Sequence, residues 1–191
     1  MLHSFYVAPF AVLWLAWFAY WMVAAGNVKV TSRREGLETF LLNRVFVVIG
    51  ALLLVVPRQP FHWLNARFVP PAMAAYWLGF VIVAAGLGFA VWARLHLGRN
   101  WSATVTIKQD HALIRSGPYG VVRHPIYTGL LLALLGTAIA IGEWRGLIAF
   151  VLFAVGFVIK LRAEERFMRE TFGEQYARYR AEVPALIPFI V

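Results

Sequence analysis

The chain has 191 residues, of which 61% are hydrophobic and only 14% carry charge. Soluble domains carry charge on about 25% of their residues, so an ordinary water-soluble globule is excluded. The formal charge of +9 would point to nucleic acid in a soluble protein, but here the basic residues sit between apolar runs, where they orient membrane helices, and no nucleic acid is expected as a partner.

Charge-free runs mark the spans. Ser4 to Val28 and Phe68 to Ala93 contain no charged residue, and each exceeds the roughly 20 residues needed to cross about 30 Å of hydrocarbon at about 1.5 Å per residue. The first run has no Lys or Arg before it and outlasts the apolar core of a secretory signal, so it is expected to stay attached. A second helix is expected over Thr39 to Val56, with Asn43 and Arg44 near one end, where an arginine can snorkel. Ile126 to Gly142 and Gly146 to Ile159 are charge-free runs of 17 and 14 residues separated by Glu143, Trp144 and Arg145. They read as two short helices joined by a tight turn, and a hairpin that does not fully cross fits equally well. No stretch sustains the alternation of a strand. The expected fold is an all-α polytopic membrane protein of about five transmembrane helices, the last two short and hairpin-like, with a cytoplasmic C-terminal amphipathic helix. Residues 1-94 hold the first three helices, and residues 95-191 hold the catalytic, cofactor-binding region.

Basic residues set the expected orientation. Lys29, Arg33 and Arg34 lie in the first connection, Arg94, Arg99, Lys108, Arg115 and Arg123 around the third, and Lys160, Arg162, Arg166, Arg169, Arg178 and Arg180 after the fifth helix. The connection with Arg58 and Arg67 is less basic, as is the Glu143–Arg145 turn. The positive-inside rule then places the N-terminus outside and the C-terminus and active site in the cytoplasm. The absence of cysteine excludes disulfides, thiol nucleophiles and cysteine-ligated iron–sulfur clusters.

Two segments break the apolar pattern, Leu95 to Tyr127 and Leu161 to Val191. In the first, the Gly-Pro-Tyr and His-Pro steps constrain the backbone and leave amides and carbonyls able to bind an adenine or amino-acid moiety beside Tyr119, His124 and Tyr127. An ordinary cytoplasmic loop with Arg123 and His124 as interface anchors is the competing reading. The second segment reads as a helix from about Lys160 to Glu182, with Met168, Phe172, Tyr176, Tyr179 and Val183 along one face. Glu164 sits four residues before Met168 on that face. It either pairs with Lys160 at i,i+4 or holds a ligand. Other templates fit poorly. Gly86-Leu-Gly88 is followed by Val91 where a dinucleotide loop needs glycine, His96, His111 and His124 lack the spacing of metal ligands, and there is no Walker or Gly-x-Ser-x-Gly motif. No metal is expected.

The ordered motifs His111-Ala-Leu-Ile114, Gly117-Pro-Tyr119, Arg123-His-Pro-Ile-Tyr127-Thr-Gly129, Glu164-Glu165, Phe172-Gly-Glu-Gln-Tyr176-Ala-Arg-Tyr179, Val183-Pro184 and Ile187-Pro188 closely resemble the isoprenylcysteine carboxyl methyltransferase family, a relative of the phospholipid N-methyltransferases. The likeness covers roughly Leu97 to Ile190. It implies an S-adenosylmethionine-dependent methyltransferase of about five membrane helices, with the cofactor enclosed near the cytoplasmic interface and a prenylated or otherwise lipidic acid entering from the bilayer. Cofactor contacts carried over from the family are Thr104, His111, Ala112, Leu113, Ile114, Tyr119, His124, Pro125, Ile126, Tyr127 and Glu164. The family's substrate-carboxylate arginine falls near Lys160, a departure that makes Arg162 and Arg123 the other candidates. An acid acceptor is already ionised at neutral pH, whereas an amine must first lose a proton. The basic residues near Glu164 favour the acid. A phospholipid or amine N-methyltransferase and a non-enzymatic lipid-binding scaffold are the alternatives.

Overall fold

A computed structural model describes residues 2–26, 31–34, 36–98, 101, 106–108 and 113–188. Among the described residues five α-helices carry the fold: α1 (Leu2–Ala25), α2 (Leu37–Val55), α3 (Met73–Leu97), α4 (Pro125–Ile141) and α5 (Trp144–Glu182). Four are long and apolar enough to cross a membrane, and α4 is a shorter apolar helix of 17 residues. Large side chains such as Leu15, Val48, Leu52 and Val81 face outward, as expected where lipid replaces water around the bundle.

The connections sort onto two sides. Strands β1 (Thr31–Arg34) and β2 (Thr106–Lys108) pair antiparallel, with Arg34 opposite Thr106, so the α1–α2 and α3–α4 connections meet at one end. At the other end, Arg67 bridges to Glu143, Phe68 N–H donates to the Gly142 carbonyl at 2.9 Å, and Trp144 N–H donates to the Ala66 carbonyl at 3.1 Å. This alternation is what successive crossings require. Runs of four and three residues are too short for alternation to reveal in the sequence.

Packing follows two seams. Along the first, α3 and α4 approach backbone to backbone. A Cβ on Gly86 would lie 2.5 Å from the Gly129 carbonyl oxygen, and one on Gly79 would lie 2.5 Å from that of Gly136. In lipid, where apolar burial gives helices little reason to associate, such close approach lets dispersion do so. Val83, Leu87 and Ala133 fill this seam, and Phe10, Leu13, Trp14 and Trp17 of α1 close over it. Trp14 Nε1 donates to Thr137 Oγ1 at 3.2 Å.

Along the second seam, α2 lies antiparallel to α5. Asn43 Nδ2 donates to the Gly156 carbonyl at 2.8 Å, which gives a membrane-depth amide its partner. At the far end, Arg145 Nη1 donates to the carbonyls of Leu53, Leu54 and Val56 at 3.1, 3.3 and 3.2 Å. Those are orphan acceptors at the negative end of α2. Arg145, read from the sequence as part of a turn, is therefore a cap for a neighbouring helix.

The tight turn between α4 and α5 is as expected, with Gly142 at φ 66° closing α4. The fifth span, however, does not end at Ile159: its helix runs on through Lys160 and Glu164 as far as Phe172, so the first half of the expected amphipathic helix is a continuation of the span. The change from apolar to charged sequence at Lys160 alters the solvent around the helix and not its backbone. The helical geometry breaks later, at Gly173 (φ 49°, ψ −123°), a conformation that glycine adopts without the Cβ penalty.

Candidate active site

The polar residues converge where the start of α4 meets the middle of α5. His124 is the N-cap of α4, and Pro125 occupies its first turn, where a missing N–H costs nothing and the fixed φ suits the helix. Tyr127, one position short of a full turn on, donates its hydroxyl to Glu164 Oε1 at 2.5 Å. His124 Nδ1 lies 3.4 Å from Glu164 Oε2, and its Nε2 lies 3.5 Å from Glu165 Oε1. Nε2 is buried and makes no hydrogen bond. Burial opposes charge on this imidazole, but the two carboxylates outweigh it and raise its pKa above the ordinary value.

Rings floor the cluster. Tyr127 stacks between His124 and Phe157, with centroids 5.7 and 5.1 Å away. Lys160 Nζ sits 5.7 Å from the Tyr127 ring centroid, one turn before Glu164. Glu164 thus takes the Tyr127 hydroxyl and lies against His124 while feeling the charge of Lys160, so the simple Lys160–Glu164 pair is only part of its environment.

A second layer holds this one in place. Arg123 donates from Nε and Nη2 to Glu165 Oε1 at 2.8 and 2.6 Å, with both side chains more than nine-tenths buried. Its Nη1 donates to the carbonyls of Val183 and Arg180. The segment after α5 runs back along the entrance of α4: Arg123 N–H donates to the Pro184 carbonyl at 2.8 Å, His124 N–H to that of Ala185 at 3.0 Å, and Thr128 Oγ1 to that of Leu186 at 2.7 Å. Tyr179 donates its hydroxyl to the Tyr119 carbonyl at 2.6 Å. Leu113, Met168 and Phe172 pack on Tyr176, Tyr179 and Val183. Tyr119 is buried with its ring roughly parallel to His96, and burial first, then the charge of Glu164, pushes its pKa up.

The expected residues therefore divide. His124, Tyr127, Lys160 and Glu164 meet at one point, and Tyr119, Leu113, Ile114, Pro125 and Ile126 lie on the elements around it. Thr104, His111 and Ala112 lie outside the described residues. Two expected acceptor-binding residues do not fit that role. Arg123 spends its guanidinium on Glu165 and two carbonyls. Arg162 is exposed, and at about 100° per residue it points some 200° away from Glu164 and Lys160 around α5. Of the three, only Lys160 faces the cluster. The sequence motif contains Glu165 without assigning it a task and gives Arg180 a part only in membrane orientation, whereas Arg180 Nε lies 3.4 Å from Glu165 Oε2. The adjacent acids at 164 and 165 were the available signal, since neighbours on a helix face different directions and so serve different partners.

The phospholipid methyltransferase family model matches residues 74–175, from α3 through both carboxylates to just past the break in α5. The chain belongs to the phospholipid methyltransferase family. This family member is 28% identical to protein-S-isoprenylcysteine O-methyltransferase B of Arabidopsis thaliana over 64% of the chain and 66% of that protein. It is 34% identical to protein-S-isoprenylcysteine O-methyltransferase of Schizosaccharomyces pombe over 59% of the chain and 48% of that protein. Its fold is that of a solved eukaryotic intramembrane Ras methyltransferase, isoprenylcysteine carboxyl methyltransferase, with a TM-score of 0.52 and 24% identity over 80% of this chain and 52% of that one. These matches span about half to two thirds of the relatives' lengths.

Proposed function

We propose that the chain is a membrane-embedded, S-adenosylmethionine-dependent methyltransferase that esterifies the carboxylate of a prenylated cysteine or a similar lipidic acid. The observation that carries this reading is the meeting of Glu164, Tyr127 and His124 with Lys160 at the interfacial end of the bundle. Residues 95-191 supply all four of these side chains.

The residues present fit the cofactor. Glu164, partly exposed and taking the Tyr127 hydroxyl on Oε1, has carboxylate lone pairs that can accept from an ammonium or ribose hydroxyls. His124, held between Glu164 and Glu165, keeps the Glu164 carboxylate in place for that contact. Tyr119 and the backbone at 113–114 can enclose the remainder. When bound, S-adenosylmethionine supplies a methyl group on a sulfonium, open to in-line displacement by an oxygen or nitrogen. The protein's part is positioning and exclusion of water. Lys160 draws an acceptor carboxylate toward Tyr127 and fixes its orientation. No general base is required, because such an acceptor is ionised at neutral pH. The acceptor is a lipid reaching the site from the bilayer, with the N-terminus outside and the site in the cytoplasm, an orientation supported by the joining of the basic α1–α2 and α3–α4 connections through β1 and β2.

The family description also supports a second reading, N-methylation of a phospholipid amine. Labelled S-adenosylmethionine should bind the purified protein in detergent, and Glu164→Ala and His124→Ala should each abolish that binding while the protein stays folded. No binding at near-millimolar cofactor would sink both enzyme readings and leave a lipid-binding scaffold. Methyl incorporation is then compared between a farnesylcysteine analogue and phosphatidylethanolamine. A product labile to mild base is the ester, and a stable one is the amine. Lys160→Gln should raise KM for the acid with little change in cofactor affinity.

A further inference from the structure

The outward face of α5 has a layered composition. At about 100° per residue, Trp144, Val151, Val155, Arg162, Arg166 and Arg169 fall within roughly 60° of one another around the helix. All six are exposed, the first three at 43, 50 and 38%. This face lies opposite the one that presents Lys160 and Glu164 to α4.

Depth sorts the six. The rise along α5 places Arg162, Arg166 and Arg169 about 27, 33 and 37 Å from Trp144. The hydrocarbon core is about 30 Å thick, and the bilayer with its polar layers about 40–45 Å. With Trp144 at one interface, where tryptophan is favoured, the two valines lie in hydrocarbon. Arg166 and Arg169 then fall in the opposite headgroup layer, and Arg162, at the edge of the hydrocarbon, reaches it by extending its long side chain. Since Val151 and Val155 are exposed on this face, the arginines that continue it have lipid before them as well. Among the described residues, none of the three guanidinium groups makes an ion pair or hydrogen bond. Their neighbour Glu170 borders the stripe at its far end and has interactions of its own. Unpaired guanidinium forks match phosphate oxygens in geometry and charge.

We propose that Arg162, Arg166 and Arg169 form a binding surface for the phosphates of anionic lipid headgroups in the leaflet that holds the active site. The surface is distinct from the site on the other face of α5, and it holds the helix at a set height in the bilayer. Each arginine near an anionic surface adds an attraction that multiplies.

The test uses the full chain in nanodiscs or detergent micelles, with fluorescent phosphatidylglycerol as the probe. The triple variant Arg162→Gln, Arg166→Gln, Arg169→Gln should bind the probe about a hundredfold more weakly than wild type. Arg178→Gln, beyond the break at Gly173, should change it little. The triple lysine variant should keep most of the binding, and phosphatidylcholine should not compete. Unchanged probe binding in the glutamine variant, with normal thermal unfolding, overturns the proposal. Displacement of the probe by millimolar inorganic phosphate also overturns it, because a free-ion site needs no bilayer. So does a wild-type affinity for an acidic peptide that the glutamine variant loses while its binding of the lipid probe stays unchanged, which would make the face a protein-docking surface. None of these readouts depends on methyl transfer.

Discussion

Removing Glu165 should damage the protein more than removing any exposed charge. Its carboxylate takes two hydrogen bonds from Arg123 and lies near both His124 and Arg180, and the side chains of Arg123 and Glu165 are 7 and 8% exposed. Loss of one partner from a buried pair costs about 3–5 kcal/mol, because the other charge stays buried without compensation. Arg123 keeps the carbonyls of Val183 and Arg180, so the lower end applies to Glu165→Ala. About 3 kcal/mol corresponds to a Tm drop of about 6–12 °C in a chain of this size. Thermal unfolding of the detergent-solubilised protein reads it directly. The double variant Glu165→Leu with Arg123→Met removes both charges and should recover much of the loss. A single-variant shift below about 2 °C, or a double variant no better than the single, refutes the account of this pair as the brace of the site.

Three further outcomes follow from the geometry. Gly129→Ala places a methyl group 2.5 Å from the Gly86 carbonyl oxygen, so it should destabilise the bundle by about 1–3 kcal/mol, and a Tm equal to wild type would show that the seam can relax. Tyr127→Phe removes the donor to Glu164, a bond to a charged group worth about 1.5–3 kcal/mol; cofactor affinity measured by equilibrium binding should fall about tenfold or more. The raised pKa of His124 means that the folded state holds the proton more tightly than the unfolded one. Its contribution to stability is therefore complete below the unfolded value of about 6.5 and is lost as pH rises through the folded value. Tm should decline with pH above that point in the wild type, and His124→Gln should flatten the decline; identical profiles would count against an imidazolium held between two carboxylates.

The sequence carried the spans and the place of the site to different extents. Charge-free runs reveal helices whose surroundings are apolar throughout, so α1 and α3 were plain, and the basic connections foreshadowed which ends meet. The continuation of the fifth span into the first half of the C-terminal helix was hidden, because hydropathy reports the medium around a helix and says nothing of backbone continuity across Ile159 and Lys160. Likewise, His124, Tyr127 and Glu164 stood out as polar residues at apolar boundaries, and they do meet. The separate fates of Arg123, Lys160 and Arg162 were not legible. They are chemically alike in the sequence, and only the direction of each side chain distinguishes a brace, a site residue and an outward charge.

The two seams have a consequence for how the bundle can open. Helices α3 and α4 touch through their backbones at Gly79–Gly136 and Gly86–Gly129, so they cannot slide or part without losing that fit. Helices α2 and α5 are tied by Asn43 at one level and Arg145 at another. The bundle is thus two packed pairs of helices, and the polar cluster is shared between them, with His124 and Tyr127 on one and Lys160 and Glu164 on the other. Any hinge motion that parts the pairs pulls Tyr127 from Glu164 and Arg123 from Glu165 together. Separation of the two pairs and the completeness of the polar cluster are one coordinate, so the cluster is whole only while the pairs stay packed.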